Sequence, residues 1–171
     1  MSDAPQLHVF AAADGIPNSR LPLAFWKGRA SVSADGGQDV CRLYQENGWQ
    51  GTWVYGVFGY WHFHTRGHEV LTCVAGRARI GFGGDGGIVA EVEPGDVAVI
   101  PAGVGHKRLD SSPDFLMAGG YPPGQRGDIV RPGDLDVQRA AREIGSLPLP
   151  ATDPISGAAD GVVTAWRGAW P

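Results

Sequence analysis

The chain has 171 residues, enough for one domain with a sizeable core, and its 43% of apolar residues is typical of a folded protein rather than a disordered one. Its net charge of −4 offers no basic face for phosphates, so nucleic acid is not an expected partner. The sequence shows no secretory signal, no stretch that could span a membrane, and only two cysteines, which together predict a cytoplasmic protein without a membrane partner.

The first third of the chain predicts few regular elements. Residues 1–20 are expected to be a loosely attached segment, and 21–27 a first strand that Pro22 confines to a sheet edge. The apolar spacing between Gln38 and Asn47 predicts a short helix, which Gly48 ends.

Short runs of β-forming residues follow, separated by turns that are rich in glycine and proline. This alternation is typical of a sandwich or a barrel. The GGDGG run at 83–87 is interpreted as a hairpin tip, because no helical pattern follows it. The predicted strands are 52–58, 60–65, 69–75, 77–82, 88–92, 97–100, 106–110 and 115–121.

Beyond Tyr121 the chain becomes rich in loops. Asp134 is placed to cap a short helix, and the apolar stretch from Val162 to Trp166 is expected to return as a strand onto the barrel. The helix would carry its apolar residues on one face: Val137, Ala140, Ala141 and Ile144.

The domain organisation predicted from this pattern is simple. The sequence has no internal repeat and no feature that requires a second domain. We interpret 1–171 as a single domain with a barrel core at about 50–121. The tail, 122–171, is expected to pack back on that core.

Two segments contain the residues that can support chemistry. His62 and His64 alternate along a predicted strand, so both point to the same face, roughly 7 Å apart. A turn at 65–68 can bring Glu69 opposite them, and His106 would begin a third strand after a Pro/Gly turn. Three imidazoles and one carboxylate could therefore converge inside one barrel.

This set of side chains suits one divalent transition metal. Imidazole with carboxylate favours iron, manganese, cobalt, nickel, copper or zinc over calcium or magnesium. Four protein ligands on an octahedral ion leave two positions for water, substrate or dioxygen, whereas the same four would close a tetrahedral zinc. Among these metals, iron or manganese is the favoured interpretation.

The spacing within the two segments resembles a known family. The first segment is GVFGYWHFHTRGHEVLTCVAG at 56–76, and the second is GDVAVIPAGVGHKRLD at 95–110. Together they are similar to the two signature motifs of the cupin superfamily. Three of the five histidines in the chain occupy the ligand positions of these motifs. The second motif departs at its last position, where Asp110 stands in place of the usual asparagine, which is not a metal ligand.

The resemblance implies an all-β fold: the cupin double-stranded β-helix, a jelly-roll barrel with one or two short peripheral helices. It also implies that His62, His64, Glu69 and His106 bind the metal. Further stretches, including NGW at 47–49, resemble a YjlB-like subgroup of small single-domain bacterial cupins.

Other residues near the motifs are weaker candidates for a role at the site. Phe58 and Tyr60 share the face of the histidine pair and could line a cavity, and Arg108 shares the face of the third histidine. Tyr60 and Arg108 are the catalytic candidates, because either could orient a substrate. Arg108 could equally pair with Asp110 or with another acid at the rim.

Two residues beside Glu69 have structural interpretations. His68 is expected to face away from the metal. Cys73 shares the inward parity of Glu69 and could line the cavity, but a small buried apolar residue is the favoured interpretation.

The resemblance implies a metal-dependent enzyme that acts on a small polar molecule. Dioxygenase-like chemistry is favoured, because family members with three histidines and one glutamate include oxygenases. The alternatives are a metal-dependent isomerase or decarboxylase, for which no acidic lid residue can be identified, and a non-catalytic module that binds a metal or a small ligand. A homodimer is expected, since small jelly rolls often cover their exposed edges by pairing.

Overall fold

The structure, a computed structural model, describes residues 4–169. The ends of the predicted N-terminal segment and of the predicted domain, 1–3 and 170–171, lie outside the described residues. Within the described range the strands are β1 (Gln6–Phe10), β2 (Ser19–Trp26), β3 (Gln50–Tyr55), β4 (Glu69–Ala75), β5 (Ala78–Phe82), β6 (Ile88–Val92), β7 (Val97–Ile100), β8 (His106–Ser111) and β9 (Leu116–Tyr121). The helices are α1 (Gln38–Glu46), α2 (Val137–Gly145) and α3 (Val162–Ala169).

The strands form two antiparallel sheets. The larger has the order β1-β2-β7-β4-β9-β3, and the smaller has the order β6-β5-β8. Apolar side chains from both sheets, such as Leu71 and Met117 from the larger and Ile80 and Phe82 from the smaller, belong to one core cluster. Two packed antiparallel sheets of short strands form a jelly-roll barrel, so the predicted all-β fold class is confirmed.

A second core lies on the outer face of the larger sheet. Helices α1 and α3 contribute Tyr44, Val163 and Trp166 to it, and the sheet contributes residues such as Val70 and Val99. Strand β4 is therefore covered on both faces, and every residue in it except Ala75 is buried. Because both faces are covered, residues of either parity along β4 lie in the protein interior.

The first strands of the chain differ from the prediction. Residues 6–10 form β1, which pairs with β2, so β2 lies between β1 and β7 and is not an edge strand. A proline has no N–H to donate to a neighbouring strand. Pro22 is tolerated in β2 because the register with β1 shifts between His8 and Phe10, and because the pairing with β7 begins only at Ala24.

Two other predicted strands are wrong. Residues 60–65 form no strand, and only isolated bridges connect His62 to His106 and Phe63 to Val130. The stretch from Val162 is helix α3, which raises the number of peripheral helices in the described chain to three. The spacing of its buried residues, Val162, Val163 and Trp166, suits a helix packed by one face on the sheet.

The remaining elements follow the prediction closely. Helix α1 ends at Glu46, and Gly48 after it has a positive φ of 84°. The GGDGG run joins β5 to β6 as a hairpin tip. Helix α2 is present, but Asp136 rather than Asp134 caps it, by accepting a hydrogen bond from the Arg139 N–H. No helix in the described part of the chain combines the length and apolar character needed to cross a membrane.

Candidate metal centre

Three imidazoles and one carboxylate meet inside the barrel. One nitrogen from each of His62, His64 and His106 lies within 4.8 Å of the others, so the three form a group that could hold a metal ion. The Oε2 atom of Glu69 lies 2.9 Å from His64 Nε2 and 3.3 Å from His106 Nε2. All four side chains are buried.

The two sheets position these side chains from different directions. Glu69 is the first residue of β4 and pairs with Ile100 of β7. His106 is the first residue of β8 and pairs with Phe82 of β5. The backbones of His62 and His106 exchange two hydrogen bonds, of 3.3 and 3.0 Å, which place the segment before β4 directly beside β8.

The outer nitrogens of the three imidazoles indicate what the centre is built to bind. His62 Nδ1 lies 3.1 Å from the Tyr60 carbonyl, His106 Nδ1 lies 3.0 Å from the Val104 carbonyl, and His64 Nδ1 bonds the Asp128 carbonyl. Since a carbonyl only accepts, each Nδ1 carries the proton, and a neutral ring then keeps a free lone pair on Nε2. When all three rings are neutral, three nitrogen lone pairs and a carboxylate therefore face one another, a donor set that fits a cation.

The electrostatics of His62, His64 and Glu69 support the same interpretation. Burial, together with His106, lowers the pKa of His62 to about 3, so this ring stays neutral. Burial alone would favour the neutral acid of Glu69, but His64 and His106 hold the pKa of Glu69 well below its usual range. Burial also opposes a charge on His64, yet Glu69 raises the pKa of that ring. Either a proton on His64 or a bound cation can therefore balance the Glu69 charge, and a cation could also use the three imidazole nitrogens that lie within 4.8 Å of one another.

A tyrosine that the sequence analysis did not identify fixes the orientation of Glu69. The Tyr121 hydroxyl donates to Glu69 Oε1 at 3.2 Å and accepts from the Trp53 Nε1–H at 3.0 Å. With Oε1 held by Tyr121, Oε2 is the oxygen that faces His64 and His106. Tyr121 ends β9, and only the register between β4 and β9 brings it beside Glu69.

Asp128 holds the turn that follows His64. Its carboxylate accepts from the Thr65 N–H at 2.8 Å, the Thr65 hydroxyl at 2.6 Å and the Arg66 N–H at 2.9 Å. Burial opposes ionisation of this acid, but the hydrogen bonds from Thr65 and Arg66 lower its pKa overall. Because the Asp128 carbonyl also accepts from His64 Nδ1, one residue fixes both the turn and the ring.

A cavity of about 180 Å³ opens above the four side chains. Its floor contains the three histidines, Glu69 and Tyr121. Its walls are mostly apolar and aromatic and include Trp53, Tyr55, Val57, Phe58, Leu71 and Ile129. The arrangement therefore combines a polar floor with walls that disfavour water.

The two catalytic candidates lie beside the cavity and are not among the residues that line it. Tyr60 packs against the His62 ring at 5.8 Å between centroids, with the Arg131 guanidinium over its other side. Arg108 donates to the Val57 carbonyl and to Ser111 Oγ. Asp110 bonds Arg79 rather than Arg108, so the interpretation of an Arg108–Asp110 pair is wrong.

The side chains of His68 and Cys73 are both buried away from the cavity. His68 Nδ1 accepts from the Ala102 N–H at 2.9 Å, and its ring packs on Trp166, so the residue faces away from the centre as predicted. Burial lowers the pKa of His68 to about 4, which keeps it neutral. The Cys73 thiol contacts backbone carbonyls, in agreement with a small buried residue.

Comparisons with known proteins agree with the motifs. The family model described as Cupin matches residues 60–118. The uncharacterized protein YjlB of Bacillus subtilis (strain 168) is 41% identical over 125 residues, which cover 73% of this chain and 76% of that protein.

Two solved structures show weaker likeness. An acireductone dioxygenase from Bacillus anthracis, solved with a cadmium ion in its active centre, is 19% identical with a TM-score of 0.41, over 55% of this chain and 63% of that one. Structures of the DMSP lyases RdDddP and RnDddQII match with 15% identity and a TM-score of 0.35, over 74% of this chain and 62% of the other. This chain thus spans less than two thirds of either structure. From the match to YjlB and the family model, the chain belongs to the cupin superfamily, in the group that includes YjlB.

Proposed function

We propose that this cupin is a mononuclear metal-dependent enzyme. His62, His64, Glu69 and His106 would hold one divalent transition metal, and the cavity above them would bind a small organic substrate. The observation that carries the proposal is the convergence of three buried imidazole nitrogens at the floor of an apolar cavity, with Glu69 beside two of them and the outer nitrogen of every imidazole already bonded to a carbonyl.

The donor set favours iron or manganese. Four ligands on an octahedral ion leave two positions open, whereas they would close a tetrahedral one. When bound, such an ion supplies Lewis acidity towards a carbonyl or carboxylate and, if it is redox-active, a means of activating dioxygen.

The chain's own residues would perform the remaining tasks. Tyr121 and Asp128 hold Glu69 and His64 in fixed orientations, so little rearrangement is needed when an ion binds. Phe58 packs edge-on against the His62 ring at 5.3 Å between centroids and, with Ile129, lines the cavity. These apolar groups exclude water from the reacting molecule.

Dioxygenase-like chemistry is the subclass we favour. It rests on the resemblance to oxygenases with the same ligand set, and the mostly apolar walls support a reaction that must be kept from water. A decarboxylase or isomerase is the competing proposal. Among the described residues that line the cavity, Glu69 is the one carboxylate. The lining therefore offers no second acid to act as a lid residue, which disfavours a decarboxylase. A non-catalytic module that binds metal or a small ligand is the third proposal.

For Tyr60 and Arg108, the two catalytic candidates, the contacts support an indirect role. Tyr60 supports the His62 ring, and Arg108 fixes the carbonyl of Val57 in the cavity wall. We therefore propose that they position the site rather than contact the substrate.

We also propose that the protein is a cytoplasmic homodimer. The free edge of β1, with Leu7 and Val9 exposed, supports pairing of two copies. The two buried free cysteines suit a reducing compartment. A monomer mass in light scattering would contradict the dimer.

The decisive experiment is elemental analysis of untagged protein purified without added metal. We expect about one ion per chain in the wild type, loss of that ion in the His62→Ala/His64→Ala double variant, and retention in His8→Ala, which removes a histidine of β1, a strand that β2 and β7 separate from Glu69 on β4. Iron or manganese would support the oxygenase proposal, to be followed by oxygen-uptake assays, whereas zinc would favour the non-catalytic one. A wild type that retains no metal after incubation with each candidate ion would overturn the proposal.

A further inference from the structure

The cavity walls contain no cationic side chain. Among the described residues that line it, the ionisable groups are the three histidines, Glu69, Tyr55 and Tyr121, and neither lysine nor arginine is present. A negatively charged ligand can therefore find positive charge only at the floor.

Arg108 and Arg131, which contact residues of this part of the fold, have their own partners. Arg108 donates to the Val57 carbonyl at 3.1 Å and to Ser111 Oγ at 3.2 Å. The Arg131 guanidinium lies 3.6 Å from the centre of the Tyr60 ring, where it makes a cation–π contact outside the cavity lining. Neither arginine belongs to the lining of the cavity.

The charge at the floor then sets the charge of the ligand. A divalent ion contributes two positive charges, Glu69 contributes one negative charge, and neutral imidazoles contribute none. Resting on the metal site proposed above, we infer that the cavity selects monoanions with a compact apolar body, such as a single carboxylate or enolate on an aliphatic or aromatic skeleton. Dicarboxylates and phosphate esters are disfavoured, because a second buried charge would have no partner.

The size of the cavity restricts the ligand further. The cavity has a volume of about 180 Å³. It lies below the range of about 300–1,000 Å³ that is typical of drug-sized ligands. Tyr55, Phe58 and Ile129 are exposed and line the cavity, so they continue the apolar wall towards solvent. Each methylene that enters should therefore improve affinity by about fourfold, the equivalent of about 0.8 kcal/mol.

The test compares acids of equal length and different charge. Isothermal titration calorimetry on Mn²⁺-reconstituted protein would measure pentanoate against glutarate and benzoate against terephthalate, with the metal content of the same sample determined by elemental analysis. We expect each monoanion to bind at least about tenfold more tightly than its dianion, because a second carboxylate would lose water against the apolar wall without gaining a charged partner. We expect neither to bind the metal-free protein.

A gain-of-function variant tests the same inference from the opposite direction. Ile129→Arg places a cation at the mouth, where Ile129 is 47% exposed, and Leu109→Arg is the matched control, at a 39% exposed position of β8 outside the cavity lining. The first should tighten glutarate binding by up to about fivefold and leave pentanoate nearly unchanged, whereas the second should change neither. Both variants change the net charge equally, so an equal effect in both would contradict the inference.

The outcomes separate the two proposals. Absence of retained metal would overturn the metal site itself. Retained metal with dianions bound as tightly as monoanions, or with no binding of either monoanion, would overturn only the inference about ligand charge.

Discussion

Replacing Tyr121 with phenylalanine tests whether the orientation of Glu69 matters for metal binding. The change removes one hydroxyl and preserves the ring that ends β9. It deletes the 3.2 Å hydrogen bond to Glu69 Oε1 and removes the acceptor of the Trp53 Nε1–H. Glu69 keeps its contacts with His64 and His106. The variant therefore changes the orientation of the carboxylate without removing it.

The expected magnitude follows from the geometry. A hydrogen bond to a charged acceptor contributes about 1.5–3 kcal/mol, and the 3.2 Å separation is longer than the usual range of about 2.5–3.0 Å for an O–H donor. We therefore expect the lower value, a loss of about tenfold in metal affinity, which agrees with about 10–100-fold for residues that support metal ligands.

Competition against a fluorescent chelator at fixed, near-neutral pH would measure this change with Mn²⁺, Co²⁺ and Zn²⁺. Tyr55→Phe is the matched control, since Tyr55 lines the same cavity but is 67% exposed and has no hydrogen bond to Glu69 among the described contacts. Equal affinities for the Tyr121 variant, the Tyr55 variant and the wild type would refute the idea that Tyr121 positions the ligand.

Four further predictions concern the support of the site and the fold. Asp128→Ala should lower metal affinity by about tenfold in the same competition assay, because the turn after His64 loses its acceptor; unchanged affinity would contradict this role. Removal of metal with a chelator should lower the thermal midpoint measured by calorimetry by the equivalent of about 2.7 kcal/mol at a hundredfold excess of ion over Kd, and it should leave the His62→Ala/His64→Ala variant unaffected. Gly119→Ala should weaken pentanoate binding in calorimetry, because the added Cβ would lie 2.2 Å from the Trp53 indole and must displace that cavity wall; Gly86→Ala, where no atom lies within 4 Å, is the control. Trp166→Ala should lower the free energy of unfolding in urea by about 3–5 kcal/mol, since a fully buried indole and its 2.8 Å bond to the Pro22 carbonyl are lost; a change below about 1 kcal/mol would contradict its place in the outer core.

The convergence of the three histidines was predictable from sequence because the relevant geometry is local. His62 and His64 are two residues apart and share a face in any extended backbone, even though 60–65 forms no regular strand. Glu69 follows after a short turn, so only His106 had to be brought in from a distant part of the chain. The motif spacing carried that information.

Tyr121 and Asp128 were not predicted, because their contacts with the ligands depend on residues that are distant in the chain. Tyr121 reaches Glu69 only through the β4–β9 register, in which Val70 pairs with Gly120, and spacing along the chain contains no signal for that pairing. Asp128 acts from a loop, partly through its backbone carbonyl, which any residue type supplies. Helix α3 was mistaken for a strand because a short apolar run rich in valine fits both periods.

The irregular backbone that contains His62 and His64 also bears on kinetics. This segment is fastened by isolated bridges to His106 and Val130, whereas Glu69 and His106 sit in continuous ladders. Segments with few ladder bonds open at a lower free energy than the whole fold. We expect amide hydrogen exchange to be faster at 58–64 than in β4, and an ion to leave through this local opening while both sheets stay intact. The time for which an ion stays bound would then depend on the local opening of residues 58–64 rather than on the stability of the barrel.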